Sequence, residues 1–153
     1  MTNSGASKYM SKISSIMFMT LLMTFLKCDL LLAVESHIIN AEARRFVSDI
    51  VYIQPGDSVA WINMTSHNSV SIEGMIPEGA EAWRSDMGDN YQLTLNIEGV
   101  YAYVCEPHLG FGMVGLIVVG EPVNLKKVRE VSLKLQGPYR RILGKLRKLP
   151  ATQ

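Results

Sequence analysis

Cysteine is scarce in this sequence, with two residues among 153, Cys28 and Cys105. Two cysteines allow at most one disulfide, and Cys28 lies in an N-terminal apolar stretch that export would remove, so we expect no structural disulfide. Charged residues are also few, at 19%, whereas hydrophobic residues reach 48%. This composition excludes a disordered, collagenous or disulfide-dense chain, and the length suits one globular domain.

The chain also lacks an excess of either charge, because 15 Lys and Arg residues nearly balance 14 Asp and Glu residues, for a net charge of +1. This balance argues against a nucleic-acid binder. The charges are nevertheless unevenly distributed. Residues 35–120 hold three basic and eleven acidic side chains, whereas residues 121–153 hold nine basic and two acidic ones. We therefore expect an acidic domain followed by a basic C-terminal segment.

The N-terminal residues have the pattern of a secretory signal. Residues 1–12 are polar and carry two lysines without an acid, and residues 13–26 are apolar, which is the layout of an export signal. An uncleaved membrane helix over residues 13–34 is the alternative. It would place Lys27 and Asp29 within the bilayer at about 2.5–3.5 kcal/mol each if they were central. We therefore predict an exported protein.

Beyond residue 36, short runs of β-branched and aromatic residues alternate with turn residues, and no amphipathic helix of three turns precedes Gly120. This pattern predicts an all-β domain, and a series of short strands is typical of an antiparallel Greek-key sandwich. The predicted strands are residues 36–40, 50–53, 58–63, 69–72, 91–97, 100–105 and 114–119.

Two segments depart from the strand pattern. Residues 73–90 contain three glycines and a proline, and they predict a long loop with a short helical turn at residues 80–84. After Pro122, apolar residues recur at helical spacing over residues 124–133 and again over residues 138–149. We therefore predict two small amphipathic C-terminal helices whose basic faces lie in solvent.

One short segment combines three metal-ligating side chains, those of Cys105, His108 and Met113. A thiolate, an imidazole and a thioether are soft or borderline ligands that suit copper, and a His₂Cys site with a long axial Met is the blue-copper arrangement. Such a site needs a second histidine, and His67 is available at the edge of a predicted strand. A lone cysteine or methionine is usually a core residue, but the joint spacing favours a metal site.

Other chemistries fit these residues less well. A structural zinc site ordinarily uses four closed ligands with paired cysteines, and the sequence after the signal contains only Cys105. Cys-x-x-His lacks the second thiol of a c-type haem attachment motif. A nucleophilic cysteine with a histidine partner is a further alternative, although Met113 would then have no role.

Three sets of residues carry a family resemblance: Cys105-x-Pro107-His108 with Gly112-Met113, the pair His67-Asn68, and the string Met75-Ile76-Pro77-Glu78-Gly79-Ala80-Glu81. They resemble the pseudoazurins, within the cupredoxins, which are small blue copper proteins. The loop string is typical of pseudoazurin rather than of plastocyanin or azurin. The resemblance covers about residues 35–145, and ligand order, ligand spacing and a loop without ligands agree.

The resemblance implies an all-β fold, a cupredoxin Greek-key β-sandwich of eight strands with two short C-terminal α-helices. It implies one type 1 copper per chain, with His67, Cys105, His108 and Met113 as ligands, in a periplasmic electron shuttle. Four ligands leave no open position for a substrate, so we expect no enzymatic activity. The implied partners are redox proteins of a periplasmic electron-transfer chain, such as a reductase or a dehydrogenase. We expect a monomer that binds no nucleic acid and does not insert stably into a membrane after cleavage.

The resemblance also bears on the domain boundaries. Residues 41–43 fit a small-x-small cleavage motif better than residues 34–36 do, but residues 35–40 look like the first strand of the family. Cleavage near Ser36 is therefore favoured, and His37 is expected to be a strand residue without a role at the metal. We predict a signal peptide at residues 1–36, a cupredoxin domain at residues 37–120 and a basic helical extension at residues 121–153 that packs on the sandwich.

The metal end departs from the family in its charges. Family members typically carry lysines there, including one just before the ligand cysteine, where this chain has Val104, and a Lys-Gly before the first ligand histidine, where it has Thr65 and Ser66. His108 is expected to emerge through an apolar collar that includes Phe111. We expect a neutral to acidic metal end because four acids lie in or near the ligand loops along the sequence: Glu73, Glu78, Glu81 and Glu106.

Two other functions and one residue role stay open at this point. A periplasmic copper carrier or store without electron transfer is the second hypothesis, and an adhesion-like sandwich without a metal is the third. Reversible electron exchange would separate the first hypothesis from the second, and a blue protein would exclude the third. Asn68 is either a hydrogen-bonding residue that locks the ligand loops or an ordinary turn residue.

Overall fold

The computed structural model describes residues 34–150, so the predicted signal peptide, apart from its last three residues, lies outside the described residues. Within this range the chain forms eight strands: β1 Ser36–Glu42, β2 Arg45–Val47, β3 Ile50–Ile53, β4 Ser58–Ile62, β5 Val70–Ser71, β6 Tyr91–Thr94, β7 Gly99–Val104 and β8 Val114–Val119. They build two four-stranded sheets with the orders β2-β1-β4-β6 and β3-β8-β7-β5. The prediction of a sandwich is confirmed.

All seven strands predicted from the sequence are present, and β2 is the one that was missed. It has three residues and only Phe46 is buried, so it offers too little alternation to be recognised. The antiparallel prediction is wrong for two strand pairs, because β1 runs parallel to β4 and β3 runs parallel to β8. β1 lies between β2 and β4, which makes residues 36–42 an integral part of the first sheet.

Aromatic side chains dominate the core between the two sheets. Trp61 of β4 and Tyr103 of β7 are fully buried and meet edge to face with their ring centres 5.3 Å apart. Phe46 of β2 packs on Tyr103 at 4.9 Å. Burial of one large apolar side chain contributes about 1.5–3 kcal/mol to the free energy of folding. This cluster, which joins strands of both sheets, therefore stabilises the sandwich.

The outer face of the second sheet is covered by the C-terminal helices. Every residue of β7 and β8 is buried, which requires apolar cover on both faces of the sheet. Helices α1 Leu125–Lys134 and α2 Arg141–Leu146 supply it, with Val128 and Ile142 in one cluster with Val104. Most basic side chains of the helices are exposed, as predicted. None of the helices in residues 34–150 has the length and apolarity needed to cross a bilayer.

The long loop at residues 73–90 contains no helical turn, so the prediction for residues 80–84 is wrong. The chain there runs beside β5 instead. The Ser71 N–H donates to the Trp83 carbonyl at 3.0 Å and the Ser85 N–H donates to the Ser69 carbonyl at 2.9 Å. Trp83 is also drawn into the interior, where its indole packs 5.9 Å from Trp61. Burial of the indole and pairing with β5 outweigh the local preference for a helical turn.

Replacement of Gly115 by alanine should destabilise the protein. Gly115 of β8 lies opposite Tyr103 of β7, and a methyl group at Gly115 would coincide with the Tyr103 ring. Overpacking of this kind costs about 1–3 kcal/mol, to be measured as the free energy of unfolding in urea. The matched control is Gly144→Ala on α2, where a methyl group would meet open space. A Gly115→Ala protein as stable as the control would contradict this packing.

Candidate metal centre

His67 lies between β4 and β5 and is held by backbone hydrogen bonds on both sides. Its N–H donates to the Met64 carbonyl at 2.8 Å, and its own carbonyl accepts from the Gly88 N–H at 3.0 Å. Two residues further on, the Ser69 hydroxyl accepts a hydrogen bond from the indole N–H of Trp83 at 3.0 Å. The long loop thus fixes the His67 segment from outside, and only 4% of His67 is exposed.

Cys105, His108 and Met113 lie on the loop that joins β7 to β8. The Cys105 N–H donates to the Met113 carbonyl at 3.0 Å, and the Met113 N–H donates to the His108 carbonyl at 3.3 Å. The loop turns through a short 3₁₀ helix, Leu109–Phe111, and reverses at Gly112 with φ of 77°. This left-handed conformation is one that glycine adopts without a steric penalty, so the loop closes tightly on itself.

The fold brings three of the four predicted ligands together. Cys105 Sγ lies 3.5 Å from His67 Nδ1 and 3.5 Å from His108 Nδ1, and all three atoms lie within 4.8 Å of one another. Met113 is fully buried in the same apolar cluster as Cys105. His37 lies elsewhere, with its Nε2 3.0 Å from a carboxylate oxygen of Asp57, in agreement with the expectation that it has no role at the metal.

The environment of the cluster favours the uncharged forms of its side chains. Burial raises the pKa of the Cys105 thiol, and burial together with the nearby His108 lowers the pKa of His67. At neutral pH the thiol and the His67 imidazole are therefore uncharged without a metal, and metal binding would displace the thiol proton. Bonds of about 2.0–2.3 Å to nitrogen and sulfur would let one ion reach all three atoms. Two imidazoles, one thiol and a nearby thioether are the donor set that fits copper.

A hydrogen-bonded group of three side chains joins the two ligand segments. Asn68 Oδ1 accepts from the Glu106 N–H at 2.9 Å, and Asn68 Nδ2 donates to Glu106 Oε2 at 2.7 Å. Arg84 of the long loop forms a two-pronged ion pair with the same carboxylate, at 2.6 Å for Nη2 to Oε1. Hydrogen bonds to Asn68 and Arg84 lower the pKa of Glu106. Asn68 is thus a locking residue between loops and not only a turn residue.

The pairing of Arg84 with Glu106 has no signal in the sequence, because the two residues lie 22 positions apart and neither is a candidate metal ligand. Their contact depends on the path of the long loop beside β5. On this path Arg84 also forms an isolated antiparallel β-bridge with Val70 of β5.

His108 is the member of the His67–Cys105–His108 cluster nearest the surface, in agreement with the expectation from the sequence. It is partly exposed, whereas His67 and Cys105 are buried. Phe111 is 49% exposed and its ring centre lies 6.3 Å from that of His108, so it belongs to the surface around the ligand and not to the core. The collar is not purely apolar, however, because the Arg44 guanidinium lies 4.0 Å from the centre of the Phe111 ring.

The expectation of a neutral to acidic metal end needs correction. Gly79 lies close to Ile97 and Glu81 lines a surface cleft with Ile97, so Glu78 and Glu81 lie near the start of β7, about 20 Å from Cys105 at about 3.3 Å per strand residue. Glu106 is paired with Arg84. Two arginines approach the ligand loop instead: Arg44 at Phe111 and Arg141 at Gly112.

The absence of a lysine at Val104 has a separate structural reason. Val104 is 3% exposed and packs under the C-terminal helices, so this position contributes nothing to the surface charge.

Removal of the Asn68 side chain should loosen both ligand segments. Asn68→Ala would leave the Glu106 N–H without this acceptor, and loss of a typical intramolecular hydrogen bond costs about 0.5–1.5 kcal/mol. We expect a lower free energy of unfolding in urea and faster loss of bound metal to a chelator. Asn96→Ala, at an exposed position after β6, is the control. Unchanged stability and unchanged metal release in Asn68→Ala would show that the pair does not join the loops.

Comparison with known proteins places the chain in a family. The family described as copper binding proteins, plastocyanin/azurin family, matches residues 34–120. A pseudoazurin of Paracoccus pantotrophus is 36% identical over 104 residues, which are 65% of this chain and 72% of that protein. A pseudoazurin of Methylorubrum extorquens is 38% identical over 84 residues, 54% of this chain and 57% of that one.

Solved structures agree with the sequence comparisons. The pseudoazurin of Methylobacterium extorquens AM1 superposes with a TM-score of 0.67 at 26% identity, over 75% of this chain and 99% of that one. The pseudoazurin of Hyphomicrobium denitrificans gives 0.66 at 28% identity, over 76% and 99%. The chain therefore belongs to the plastocyanin/azurin family of copper-binding proteins, and its relatives include pseudoazurins.

Proposed function

We propose that this protein holds one copper ion in a type 1 site and carries single electrons between redox proteins of the periplasm. His67, Cys105 and His108 are the equatorial ligands and Met113 is the axial ligand. The observation that carries the proposal is the approach of two imidazole nitrogens to one buried sulfur, each at 3.5 Å. Pseudoazurins among the relatives support the same assignment.

The ligands are held in a way that suits electron transfer. Bound copper supplies a one-electron couple between Cu(I) and Cu(II), which prefer different geometries. Cys105 follows a strand that is buried on both faces, and His67 is fixed by backbone bonds to Met64 and Gly88. Close packing resists displacement of such groups, so the donors keep one arrangement in both oxidation states and little reorganisation accompanies transfer.

His108 is the exit for the electron. It is the one partly exposed member of the His67–Cys105–His108 cluster, and the exposed residues Pro107, Gly110 and Phe111 surround it on its own loop. A partner that docks there excludes water from a small contact, as transient redox partners do.

The protein is an electron carrier and not an enzyme. Four protein ligands leave no coordination position for a substrate, in contrast to catalytic metal sites, which keep one open. The partners are redox proteins, such as a reductase or a dehydrogenase. Export to the periplasm rests on the signal-like residues 1–36.

Replacement of the cysteine ligand tests the site directly. Protein reconstituted with Cu(II) should bind one ion per chain and absorb strongly in the visible range through the Cys105 thiolate, whereas Cys105→Ser should lose this band. Spectrophotometric titration with Cu(II) measures both. A colourless protein under oxidising conditions would overturn the copper assignment. A blue protein without a reversible one-electron voltammetric wave would favour a copper carrier or store.

Met113 should tune the potential and not hold the ion. Met113→Gln is expected to retain copper but to have a lower reduction potential, because a harder axial oxygen favours Cu(II) over Cu(I). Protein-film voltammetry measures the shift. Val123→Gln is the control, since Val123 is 68% exposed, lies beside Asn124 at the end of β7 away from Cys105 and should leave the potential unchanged. Complete loss of copper from Met113→Gln would contradict the tuning role.

A further inference from the structure

Three arginines form one flank of the metal end, which we call the arginine side: Arg44, Arg140 and Arg141. Arg44 stacks on Phe111, and the side chain of Arg141 lies against Gly112 of the ligand loop. Arg140 and Arg141 line a surface cleft of about 520 Å³ that Gly112, Arg147 and Lys148 also line. Within residues 34–150 none of the three arginines forms an ion pair, and all three are exposed.

The opposite flank is acidic and consists of Asp86 and Asp89, which we call the aspartate side. Both are exposed, and neither has an ion-pair partner in the described part of the chain. Gly88 between them donates its N–H to the His67 carbonyl at 3.0 Å, so this turn lies directly at the first ligand histidine. Met87 in the same turn is 55% exposed.

The order of strands puts the two sides on opposite flanks of the ligands. The aspartate side follows residues 83–85, which run along β5 at one edge of the second sheet. Helix α2, which begins with Arg141, packs on β8, and its Lys145 pairs with Asp49 just before β3 at the other edge. From β5 to β8 is two strand spacings, or roughly 10 Å.

The first sheet repeats this arrangement. Arg44 immediately precedes β2 at one edge, and Asp89 lies two residues before β6 at the other. The ligand loops meet between these flanks. Arg84, which lies beside the aspartate side, adds no net positive charge there, because it is paired with Glu106. Across the exit at His108 the surface therefore changes from positive to negative.

A partner that contacts the metal end interacts with the electric field of each side separately. The Debye length at 0.1 M salt is about 10 Å, similar to the separation of the two sides, so their fields do not cancel at contact distance. Charge patterns of this kind fix orientation, because an arrangement that places like charges together is penalised. A surface with one sign of charge attracts a partner but leaves its rotation about the exit unspecified.

We propose that the metal end is a bipolar docking face centred on His108. Its partner is a redox protein that presents acidic groups to the arginine side and basic groups to the aspartate side. This partner chemistry rests on the proposed electron-carrier function. It differs from docking of a uniformly acidic partner on a ring of positive charge, because the aspartate side would repel such a partner.

The opposite charges of the arginine side and the aspartate side can be tested by NMR on ¹⁵N-labelled, Cu(I)-loaded protein. Two inert paramagnetic complexes serve as probes: hexacyanochromate(III), a trianion, and hexaamminechromium(III), a trication. The anion should broaden the amide signals of Phe111, Gly112 and Arg141, and the cation those of Asp86, Gly88 and Asp89. Broadening of one common region by both complexes, or no binding of the cation near Asp86, would overturn the proposal. Repeating the map on copper-free protein keeps this result independent of whether copper transfers electrons.

Charge-reversal variants test which probe each side binds. Arg141→Glu and, as a second variant, Arg44→Glu should each weaken binding of the anion about threefold to tenfold, the effect expected for exposed charges, and leave the cation unaffected. Asp86→Lys should weaken the cation by a similar factor and leave the anion unaffected. Lys127→Glu, on the exposed face of α1, is the matched control and should change neither. If the variants behave like the control, the two sides do not form a docking face.

Discussion

The buried end of β7 is the constraint on which the metal centre depends. Because both faces of β7 are covered, one by the aromatic core and the other by the C-terminal helices, the strand delivers Cys105 into the interior at a fixed position. The two histidines come from separate segments and both converge on this sulfur. A shift of one residue in the pairing of β7 would turn Tyr103 and Val104 to the wrong faces, so the register of the sheet also sets the position of the thiol.

A carboxylate next to Cys105 connects this strand to the rest of the candidate site. Glu106 accepts from Asn68, which follows His67, and from Arg84 of the long loop. The two ligand segments and the long loop are thereby held as one unit, which is the kind of outer support that orients metal ligands. The same ion pair removes two charges from the metal end and leaves its surface field to the residues on either flank.

The C-terminal helices serve both stability and charge placement. Val128 and Ile142 complete the apolar cover of the second sheet, while Arg140 and Arg141 lie beside the ligand loop. A side chain larger than hydrogen at Gly112 would collide with Arg141, so the glycine that turns the loop also makes room for this arginine. Packing and electrostatics at the metal end are therefore linked through one short helix.

The sequence by itself determined seven of the eight strands, the two helices and three candidate ligands, Cys105, His108 and Met113, because these depend on local period and on residue types at short spacing. His67 followed from the need of a His₂Cys site for a second histidine. The spacing of soft ligands in Cys105-x-x-His108 and Met113 can be read directly from the sequence. The sequence could not reveal β2, whose three residues carry too little pattern, or the two parallel strand pairs, which depend on how distant strands are arranged.

Only the tertiary structure decided which charges meet. Along the sequence, the acids of the long loop predict an acidic metal end. In the fold, Glu78 and Glu81 lie near the start of β7, away from Cys105, and Glu106 is paired with an arginine 22 positions away. Arg44 and Arg141 reach the ligand loop from positions 67 and 29 residues from Phe111 and Gly112. Ion pairs and surface fields depend on distance in space, and for residues this far apart the fold alone sets that distance.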